Sequence, residues 1–237
     1  LCKWGEQSLG KCLGGKIMQK EIFTAEGSVQ YWDVVRKGRG EINRLYKSMF
    51  KIPLLYGTKK SVLRFLLKDL YGRVLDIGAG SRYVGELCKE LSETVEYRSM
   101  DTDRSCFHDY YSVDDIQGKF DFIFLLDVIE HLPLNDGISM LMKCKELLNT
   151  EGTIIITLPN NLHPTAFSVD CMHVTSYRYN DLGGLVLACG FQDIQIFRIS
   201  EKRKLKQRIL AFLIKPILDF LDLDFATLIL IVAKNKE

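Results

Sequence analysis

The chain has 237 residues and a mass of 27.2 kDa, which suits one large domain or a core with a small appendage. Apolar residues make up 47% and charged residues 26%, close to the globular average, so disordered and collagen-like classes are excluded. The formal net charge is +2, from 32 basic and 30 acidic residues, and gives no reason to expect a nucleic-acid partner.

Cysteine usage and hydropathy indicate a reduced, cytoplasmic setting. The seven cysteines are scattered and form no Cys-x-x-Cys pair, which argues against a disulfide framework or a structural zinc site. No run of about 18 apolar residues predicts a transmembrane helix, and the first residues lack the apolar region of a signal peptide.

The beginning of the chain shows little helical or strand periodicity. Residues 14–18 read GGKIM, and the codons for Gly-Gly-Lys ahead of a methionine codon resemble a bacterial ribosome-binding site before a start codon. We therefore predict that translation begins at Met18 and that residues 1–17 are leader, with Leu1 a misassigned start. A flexible N-terminal arm is the alternative. The intact mass of the native protein distinguishes the two.

From residue 59 onward, predicted helices and strands alternate. Residues 18–70 are mixed and aromatic at first, and we expect them to form an N-terminal helical lid ahead of a domain at 71–237. In chain order the pattern predicts a helix at 59–70, a strand at 73–77, a helix around 84–91, strands at 95–100 and 120–126, a helix at 137–148, a strand at 153–158, a helix around 182–189, and strands at 194–199 and 228–232. This alternation indicates an α/β fold, a mostly parallel sheet with helices on both faces.

A glycine turn follows the first of these strands. The segment VLDIGAGSR has Gly78 and Gly80 directly after a predicted buried strand, where glycines let the backbone approach a ligand closely. A dinucleotide fingerprint would need a third glycine at position 83, which is Tyr83, so the pattern disfavours a dehydrogenase. Asp101 ends the next strand about 20 residues later, and a carboxylate there can accept hydrogen bonds from both ribose hydroxyls.

These residues resemble the class I S-adenosylmethionine-dependent methyltransferases, closest to the type 11 and type 23 groups. The likeness extends over roughly residues 60–200 and the last strand. It is carried by VLDIGAG at 74–80, SMDTD at 99–103, FDFIFLLDVIEHL at 120–132, GTIIITLPN at 152–160 and HVTSYRYNDLGGLVLACGF at 173–191. The resemblance implies a Rossmann-like doubly wound sheet of seven strands, with the last strand antiparallel.

The resemblance also implies how S-adenosylmethionine would be held. The glycine turn would line the methionine end with Asp76 near its ammonium group, Asp101 would hold the ribose, and Asp114 or Asp115 would face the adenine. Asp127 would border both cofactor and acceptor. The residues expected at the cofactor are Asp76, Gly78, Ala79, Gly80, Asp101, Asp115 and Asp127.

Two features depart from the family pattern. Position 82 is Arg82 where a third glycine is common, and we expect it to be an exposed residue at a helix start or a contact for an anionic substrate. The stretch from Asp101 to Phe120 is short, so the usual helix between the second and third strands is expected to be reduced or lost.

Three histidines are candidate general bases for a hydroxyl acceptor: His131, His163 and His173. His108 is expected to be an exposed loop residue. We predict no metal site, with one alternative. The pattern Asp127-x-x-Glu130-His131 resembles the Glu-x-x-Glu-His of ubiquinone-type O-methyltransferases, where those groups are associated with a divalent cation. Packing and hydrogen bonding at a helix start are the other reading of Glu130 and His131.

Residues 201–225 are basic and amphipathic. Six lysines and arginines lie between 202 and 215, and without them the formal net charge would fall from +2 to −4. Apolar residues recur at helical spacing, and Pro216 should kink the helix or start a second one. The stretch 202–221 is a candidate for peripheral contact with the inner face of a membrane. An ordinary helix packed over the sheet edge and a dimer contact are the alternatives.

The sequence thus predicts a cytoplasmic S-adenosylmethionine-dependent methyltransferase. Its acceptor would be a small molecule or a glycan or lipid-linked intermediate, methylated on oxygen or nitrogen. A nucleotide-fold binding protein that has lost catalysis is the competing hypothesis.

Overall fold

The computed structural model describes residues 29–68, 70–201 and 205–236, so the predicted leader at 1–17 lies outside the described residues. The helices are α1 (Val29–Leu45), α2 (Lys59–Leu66), α3 (Tyr83–Leu91), α4 (Leu134–Leu147), α5 (Tyr179–Ala188) and α6 (Leu205–Phe220). The strands are β1 (Leu54–Tyr56), β2 (Arg73–Ile77), β3 (Glu96–Met100), β4 (Phe120–Leu126), β5 (Leu148–Pro159), β6 (Gln192–Ser200) and β7 (Leu228–Lys234). Short 3-10 turns lie at Met49–Lys51, Val113–Asp115 and Ile129–His131.

The strands form one seven-stranded sheet in the order β1-β6-β7-β5-β4-β2-β3. β7 is antiparallel to both of its neighbours, and every other pair is parallel. The chain continues from β2 to β3 on one side and later returns to β4 on the other. The strand order therefore reverses next to β2, and ligands of open α/β sheets bind at such a reversal, outside the carboxyl ends of the strands.

Helices cover both faces of the sheet. On one face the core includes Ile42 of α1, Leu141 of α4 and Val186 of α5, all fully buried. On the other face it includes Leu63 of α2 and Leu87 of α3. The central strands are buried on both sides, which explains why they read as continuous apolar runs. The predicted α/β, mostly parallel sheet with an antiparallel last strand is confirmed.

One of the seven strands, β1, was not predicted from the sequence. β1 pairs in parallel with β6 at one edge of the sheet and had no counterpart among the predicted strands. Between β3 and β4 the chain has only the turn Val113–Asp115 and an isolated bridge from Met100 to Tyr110. The expected loss of the helix in this crossover is therefore confirmed.

The segment predicted as a helical lid, 18–70, is described from residue 29. It is not wholly helical, because it contributes β1 to the sheet. α1 packs against α5, where a Cβ added at Gly38 would lie 2.4 Å from the carbonyl oxygen of Gly184. The start of α2 is the part that reaches the carboxyl edge of the sheet, through Lys59. A covering role over the cofactor stays a prediction.

The basic amphipathic stretch forms a single helix over its described part. α6 continues through Pro216 to Phe220, so the start of a second helix at Pro216 is not what the structure has. Residues 202–204 lie outside the described residues. Among the helices of the described residues, none is long and apolar enough to span a bilayer.

Candidate active site

The glycine turn after β2 is closed on one side and open on the other. The backbone N–H groups of Gly78 and Ala79 donate to the carbonyl oxygen of Met100, at 2.8 and 3.1 Å. Gly78 has a φ of +71°, and a Cβ there would lie 2.3 Å from a methyl carbon of Val128. Gly80 has a φ of +46°, and a Cβ there would meet no atom of the described residues within 4 Å. The turn therefore presents free space at Gly80.

Asp101 fastens the end of β3 to this turn. Its carboxylate accepts hydrogen bonds from the N–H groups of Gly80, at 2.8 Å, and of Asp103, at 2.9 Å. A carboxylate has about four lone-pair positions, so further donors can still bind. Asp101 is half-buried and stands beside the space at Gly80.

Asp76 lies beneath the turn rather than in the open space. Its side chain is only 2% exposed, and it accepts a hydrogen bond of 2.8 Å from the hydroxyl of Tyr97. Burial raises the pKa of the Asp76 carboxyl to about 7, and the nearby charge of Asp101 adds to the shift. The bond from Tyr97 and the cations Lys59 and Arg82 act in the opposite direction on that pKa.

The two aspartates predicted near the adenine lie in the turn Val113–Asp115. Both Asp114 and Asp115 are exposed, and the backbone N–H of Asp114 donates to the Ser112 hydroxyl at 3.2 Å. No described contact joins Asp115 to the glycine turn. Its role at the cofactor stays a prediction.

Asp127 occupies the end of β4 in a constrained conformation. Its φ is +55°, in the left-handed region that side-chain-bearing residues seldom adopt. Its carboxylate accepts a hydrogen bond of 2.6 Å from the Thr157 hydroxyl and forms an ion pair with Lys59. Lys59 also lies 5.6 Å from the centre of the Tyr83 ring. Sequence reasoning missed Lys59, because nothing local links it to a residue 68 positions later.

A second group of polar side chains begins at Glu130, three residues after Asp127. Ligand-type atoms of Glu130, His131 and His173 all lie within 4.8 Å of one another. Glu130 is 1% exposed, and neither of its carboxylate oxygens has a hydrogen-bond partner among the described residues. Burial is the main cause that raises the pKa of Glu130 to about 8, and the charges of Asp127 and Asp170 act in the same direction. The backbone N–H of Glu130 itself and the cation Lys59 act in the opposite direction on that pKa. Two of the three predicted base candidates, His131 and His173, therefore lie close together beside Glu130.

The hydrogen bonds of these two imidazoles define their tautomers. Nδ1 of His131 lies 3.1 Å from the carbonyl oxygen of Met172, and Nδ1 of His173 lies 2.6 Å from that of Phe167. A carbonyl oxygen can only accept, so each Nδ1 carries the proton. In the neutral ring, each Nε2 then keeps its lone pair for a proton or a metal ion.

His163 is arranged in the opposite way. Its Nδ1 accepts hydrogen bonds from the backbone N–H groups of Thr165 and Ala166, both at 3.2 Å. Its ring lies edge-on to Phe225, with centroids 6.3 Å apart. Because Nδ1 is already an acceptor, the neutral ring carries its proton on Nε2 and is a poorer base. The structure brings together two of the three candidate histidines and leaves His163 outside that pair.

The expectations for Arg82 and His108 need correction. Arg82 starts α3, but it is half-buried, donating to the carbonyl oxygen of Phe107 at 3.1 Å and lying 3.6 Å from Asp109. It therefore binds the loop after β3 instead of standing free in solvent. His108 is 1% exposed, so the expectation of an exposed loop residue was wrong. Neither burial was visible in the sequence, because both depend on how this loop folds back on β3.

Known proteins share this fold. The profile of the methyltransferase domain family matches residues 53–196, more than half of the chain. An S-adenosylmethionine-dependent methyltransferase structure from Archaeoglobus fulgidus is 21% identical, with a TM-score of 0.62 over 74% of this chain and 92% of that chain. Another, from Mesorhizobium loti, is 12% identical, with a TM-score of 0.51 over 73% and 96%. No curated protein matches the sequence.

The chain belongs to the class I S-adenosylmethionine-dependent methyltransferases. S-adenosylmethionine is the cofactor of this methyltransferase, and the described residues fit it. The space at Gly80 admits a ligand against the backbone, and Asp101, which is bonded to the Gly80 N–H, keeps acceptor positions for further donors. When bound, the cofactor supplies a methyl group activated on a sulfonium. The chain's own contribution is to position the acceptor beside that methyl group.

Proposed function

We propose that this methyltransferase transfers the methyl group to an oxygen of an acceptor placed between Asp127 and the loop of residues 160–178. The observation that carries the proposal is the pairing of His131 with His173, whose ring centroids are 4.9 Å apart. Transfer to a hydroxyl forms a carbon–oxygen bond, breaks the carbon–sulfur bond and releases the hydroxyl proton. A proton acceptor beside the oxygen therefore speeds the reaction.

Oxygen and nitrogen acceptors differ in whether they need a base. A neutral amine attacks with its own lone pair and needs no base before the attack. A hydroxyl is a weak nucleophile until its proton is shared with a base. Two imidazoles with available Nε2 lone pairs, next to a buried carboxyl, therefore favour the oxygen acceptor.

The surroundings of the histidines favour an acceptor with an apolar body. Val169, Met172 and Val174 are exposed on the loop that carries His173. This loop is tied to the end of β4, because the N–H groups of Val174 and Thr175 donate to the carbonyl oxygen of Glu130, at 2.8 and 2.9 Å. Exposed apolar side chains held beside a polar cluster suit a ligand that joins a hydroxyl to a hydrocarbon or aromatic part.

The experiment measures formation of S-adenosylhomocysteine with paired acceptors that differ only in a hydroxyl or an amine, such as phenols and anilines of increasing hydrophobicity. We expect transfer to the hydroxyl members, rising with apolar size. His173→Ala should lower kcat by at least tenfold with little change in the KM for S-adenosylmethionine, and His163→Ala is the matched control. Faster transfer to the amines would contradict the proposal.

Calorimetry tests the competing hypothesis of a binding protein without catalysis. We expect S-adenosylmethionine and S-adenosylhomocysteine to bind with micromolar affinity. Absence of such binding would favour the non-catalytic alternative, whatever acceptor is offered.

We further propose that α6 brings the methyltransferase to an anionic membrane, where a lipid-linked acceptor would be found. Leu213, Ile217 and Phe220 recur at helical spacing and are exposed, Phe220 by 88%, while Leu218 is buried. The sequence before them carries the charges of Lys202, Arg203, Lys204, Lys206 and Arg208. An apolar helix face beside a basic segment complements an anionic lipid surface.

Vesicle sedimentation tests this contact. We expect the full chain to sediment with vesicles containing phosphatidylglycerol at low salt and to be released by high salt. Replacing Leu213, Ile217 and Phe220 by serine should abolish sedimentation. The control is Phe65→Ser, which alters an exposed aromatic residue on α2. Equal sedimentation of the triple variant and the wild type would exclude α6 as the contact.

A further inference from the structure

We propose that Lys59, Tyr83 and Asp127 together hold the amino-acid end of S-adenosylmethionine. The side chains of Lys59 and Tyr83 bind its carboxylate, and the carboxylate of Asp127 binds its ammonium group. Lys59 starts α2, Tyr83 starts α3 and Asp127 follows β4, so three elements converge beside the glycine turn. The inference rests on the cofactor of the family and does not depend on which acceptor atom receives the methyl group.

The ion pair between Lys59 and Asp127 has the same two charges as the amino-acid end of the cofactor. A zwitterion that enters between the two side chains exchanges one ion pair for two, each a charge-assisted hydrogen bond. The side chains are 24% and 33% exposed, so a ligand can reach both. The Thr157 hydroxyl donates to the other oxygen of Asp127, which keeps this carboxylate in place when Lys59 turns toward the ligand.

Lys59 is the cation that is left for a carboxylate at the glycine turn. Burial raises the pKa of the Asp76 carboxyl beneath the turn, and two cations of the described residues, Lys59 and Arg82, oppose that shift. Arg82 is engaged by the loop after β3, through the carbonyl oxygen of Phe107 and the carboxylate of Asp109. The anionic group of the cofactor therefore finds its counter-charge at Lys59.

The hydroxyl of Tyr83 is the independent observation that points to a ligand. Its oxygen is buried and has no hydrogen-bond partner among the described residues, a state that native structures seldom leave unsatisfied. The Tyr83 ring centre lies 5.6 Å from Nζ of Lys59. Burial, with the charges of Asp127 and Asp76, raises the pKa of Tyr83 above its ordinary value, so the hydroxyl keeps its proton. It can donate that proton in a hydrogen bond to a carboxylate held by Lys59.

The ammonium group is assigned to Asp127 and not to Asp76, which the sequence resemblance implied. Asp76 is 2% exposed and accepts a hydrogen bond from the Tyr97 hydroxyl, so its carboxyl is occupied beneath the turn. Asp127 is partly exposed and already binds an ammonium group, that of Lys59. The ligand's ammonium group replaces it there.

The test measures binding to the full chain by calorimetry, with three ligands and no acceptor. The ligands are S-adenosylmethionine, its decarboxylated form, and 5′-methylthioadenosine, which lacks the whole amino-acid end. Lys59→Met and Tyr83→Phe should each bind S-adenosylmethionine at least tenfold more weakly than the wild type, yet bind the decarboxylated form at least as tightly. Asp127→Asn should lose at least tenfold for both ligands that carry the ammonium group. All three variants should bind 5′-methylthioadenosine within about twofold of the wild type.

Two matched variants serve as controls. Lys60→Met removes the neighbouring lysine of α2, whose exposed ion pairs join Glu86 and Glu90 of α3, and Tyr71→Phe removes the hydroxyl of an exposed tyrosine. Both should bind all three ligands as the wild type does. The Tm of each variant without ligand checks its folding, and Tyr83→Phe should keep the wild-type Tm because its hydroxyl is unpaired among the described residues.

Two results would overturn the assignment. One is unchanged affinity of Lys59→Met for S-adenosylmethionine. The other is an equal loss for all three ligands, which a merely structural role would produce. Because no acceptor is present, neither result bears on whether oxygen or nitrogen is methylated. Failure of transfer to hydroxyl acceptors, with the expected binding pattern intact, would contradict the proposed function alone.

Discussion

Gly78 and Gly80 both have left-handed backbone conformations, but different atoms surround them, so the two glycines have different roles. Gly78 is packed under Val128, whereas Gly80 borders open space. The first therefore serves the packing of β2 against the end of β4. The second leaves room where the cofactor would approach the backbone. A sequence shows two equivalent glycines, and only the neighbouring atoms distinguish them.

Alanine substitutions at the two glycines should have different consequences. Gly78→Ala combines left-handed strain with overlap against Val128 and should cost about 2–4 kcal/mol of unfolding free energy. Gly80→Ala carries mainly the strain, about 1–2 kcal/mol, but its methyl group enters the ligand space. We expect Gly80→Ala to lose at least tenfold in S-adenosylmethionine affinity. Urea unfolding and calorimetry measure both quantities, and equal affinity losses in the two variants would contradict the assignment.

Asp76 should make stability depend on pH. Its pKa is about 7 in the folded chain against an ordinary value of 3.8, so the folded state keeps a proton that the unfolded state releases between these values. The stabilisation is complete below the unfolded pKa and is lost as pH rises through about 7. The slope is at most about 1.4 kcal/mol per pH unit, or on the order of 4 kcal/mol in total.

Asp76→Asn removes this titration while keeping an acceptor for the Tyr97 hydroxyl. Relative to the wild type, the variant should gain unfolding free energy between pH 5 and pH 8, measured by urea denaturation without cofactor. If the difference in unfolding free energy between the variant and the wild type were the same at pH 5 and at pH 8, Asp76 would not titrate in this range.

At the scale of elements, α1 lies in the segment expected to form a helical lid, although sequence patterning gave it no bounds. Gly38 and Gly40 lower its intrinsic helix propensity. The tertiary contact compensates, because Gly38 lets α1 approach α5 at Gly184, where a Cβ would lie 2.6 Å from the backbone nitrogen of Arg39. A residue that weakens the isolated helix thus permits its packing.

Substitutions at this crossing provide a test with an internal control. Gly184→Ala should destabilise the protein by about 1–3 kcal/mol, because the added methyl group overlaps backbone atoms that cannot rotate away. Gly40 lies on the same helix α1, and a Cβ there would meet no atom within 4 Å in the part of the chain that the structure describes, so Gly40→Ala should stabilise the protein by up to about 1 kcal/mol. Thermal or urea unfolding checks the sign of both effects. Destabilisation by Gly40→Ala would show that the close contact between α1 and α5 also includes Gly40, which would contradict the described packing.

At the scale of the whole molecule, a buried ion pair joins distant parts of the chain. Arg198 of β6 lies 3.1 Å from Asp224, ahead of β7, and its Nε donates to the carbonyl oxygen of Ile52, ahead of β1. Asn160, after β5, donates to Asp224 at 2.9 Å. These contacts fix the outer strands to the edge of the sheet that carries the candidate site.

Breaking this pair from one side should be costly. Asp224→Asn leaves the Arg198 guanidinium buried without its counter-charge, and we expect a loss of about 3–5 kcal/mol in unfolding free energy. The control is Glu151→Gln in the exposed pair with Lys234, where little change is expected. Similar effects of the two variants in urea unfolding would contradict a special role for the buried pair.

The candidate site was predictable where it depends on strand ends. Asp101, Asp127 and the glycine turn follow apolar runs, and parallel strands bring such positions to one edge of the sheet. The contact of His173 with Glu130 and the pairing of Lys59 with Asp127 were not predictable, since each joins segments more than 40 residues apart. The same applies to β1, whose three residues carry too short a pattern to be recognised as a strand.

The sequence by itself determined the alternation of strands and helices, the parallel sheet and the family, because these follow from hydrophobic periodicity and from motifs contained within short segments. Only the tertiary structure decided which histidines are paired, which glycine faces ligand space and which aspartate is buried. Those properties depend on side-chain contacts between segments that the fold alone brings together. The same holds for the Glu130 carboxylate, which has no hydrogen-bond partner among the described residues and lies close to both imidazoles.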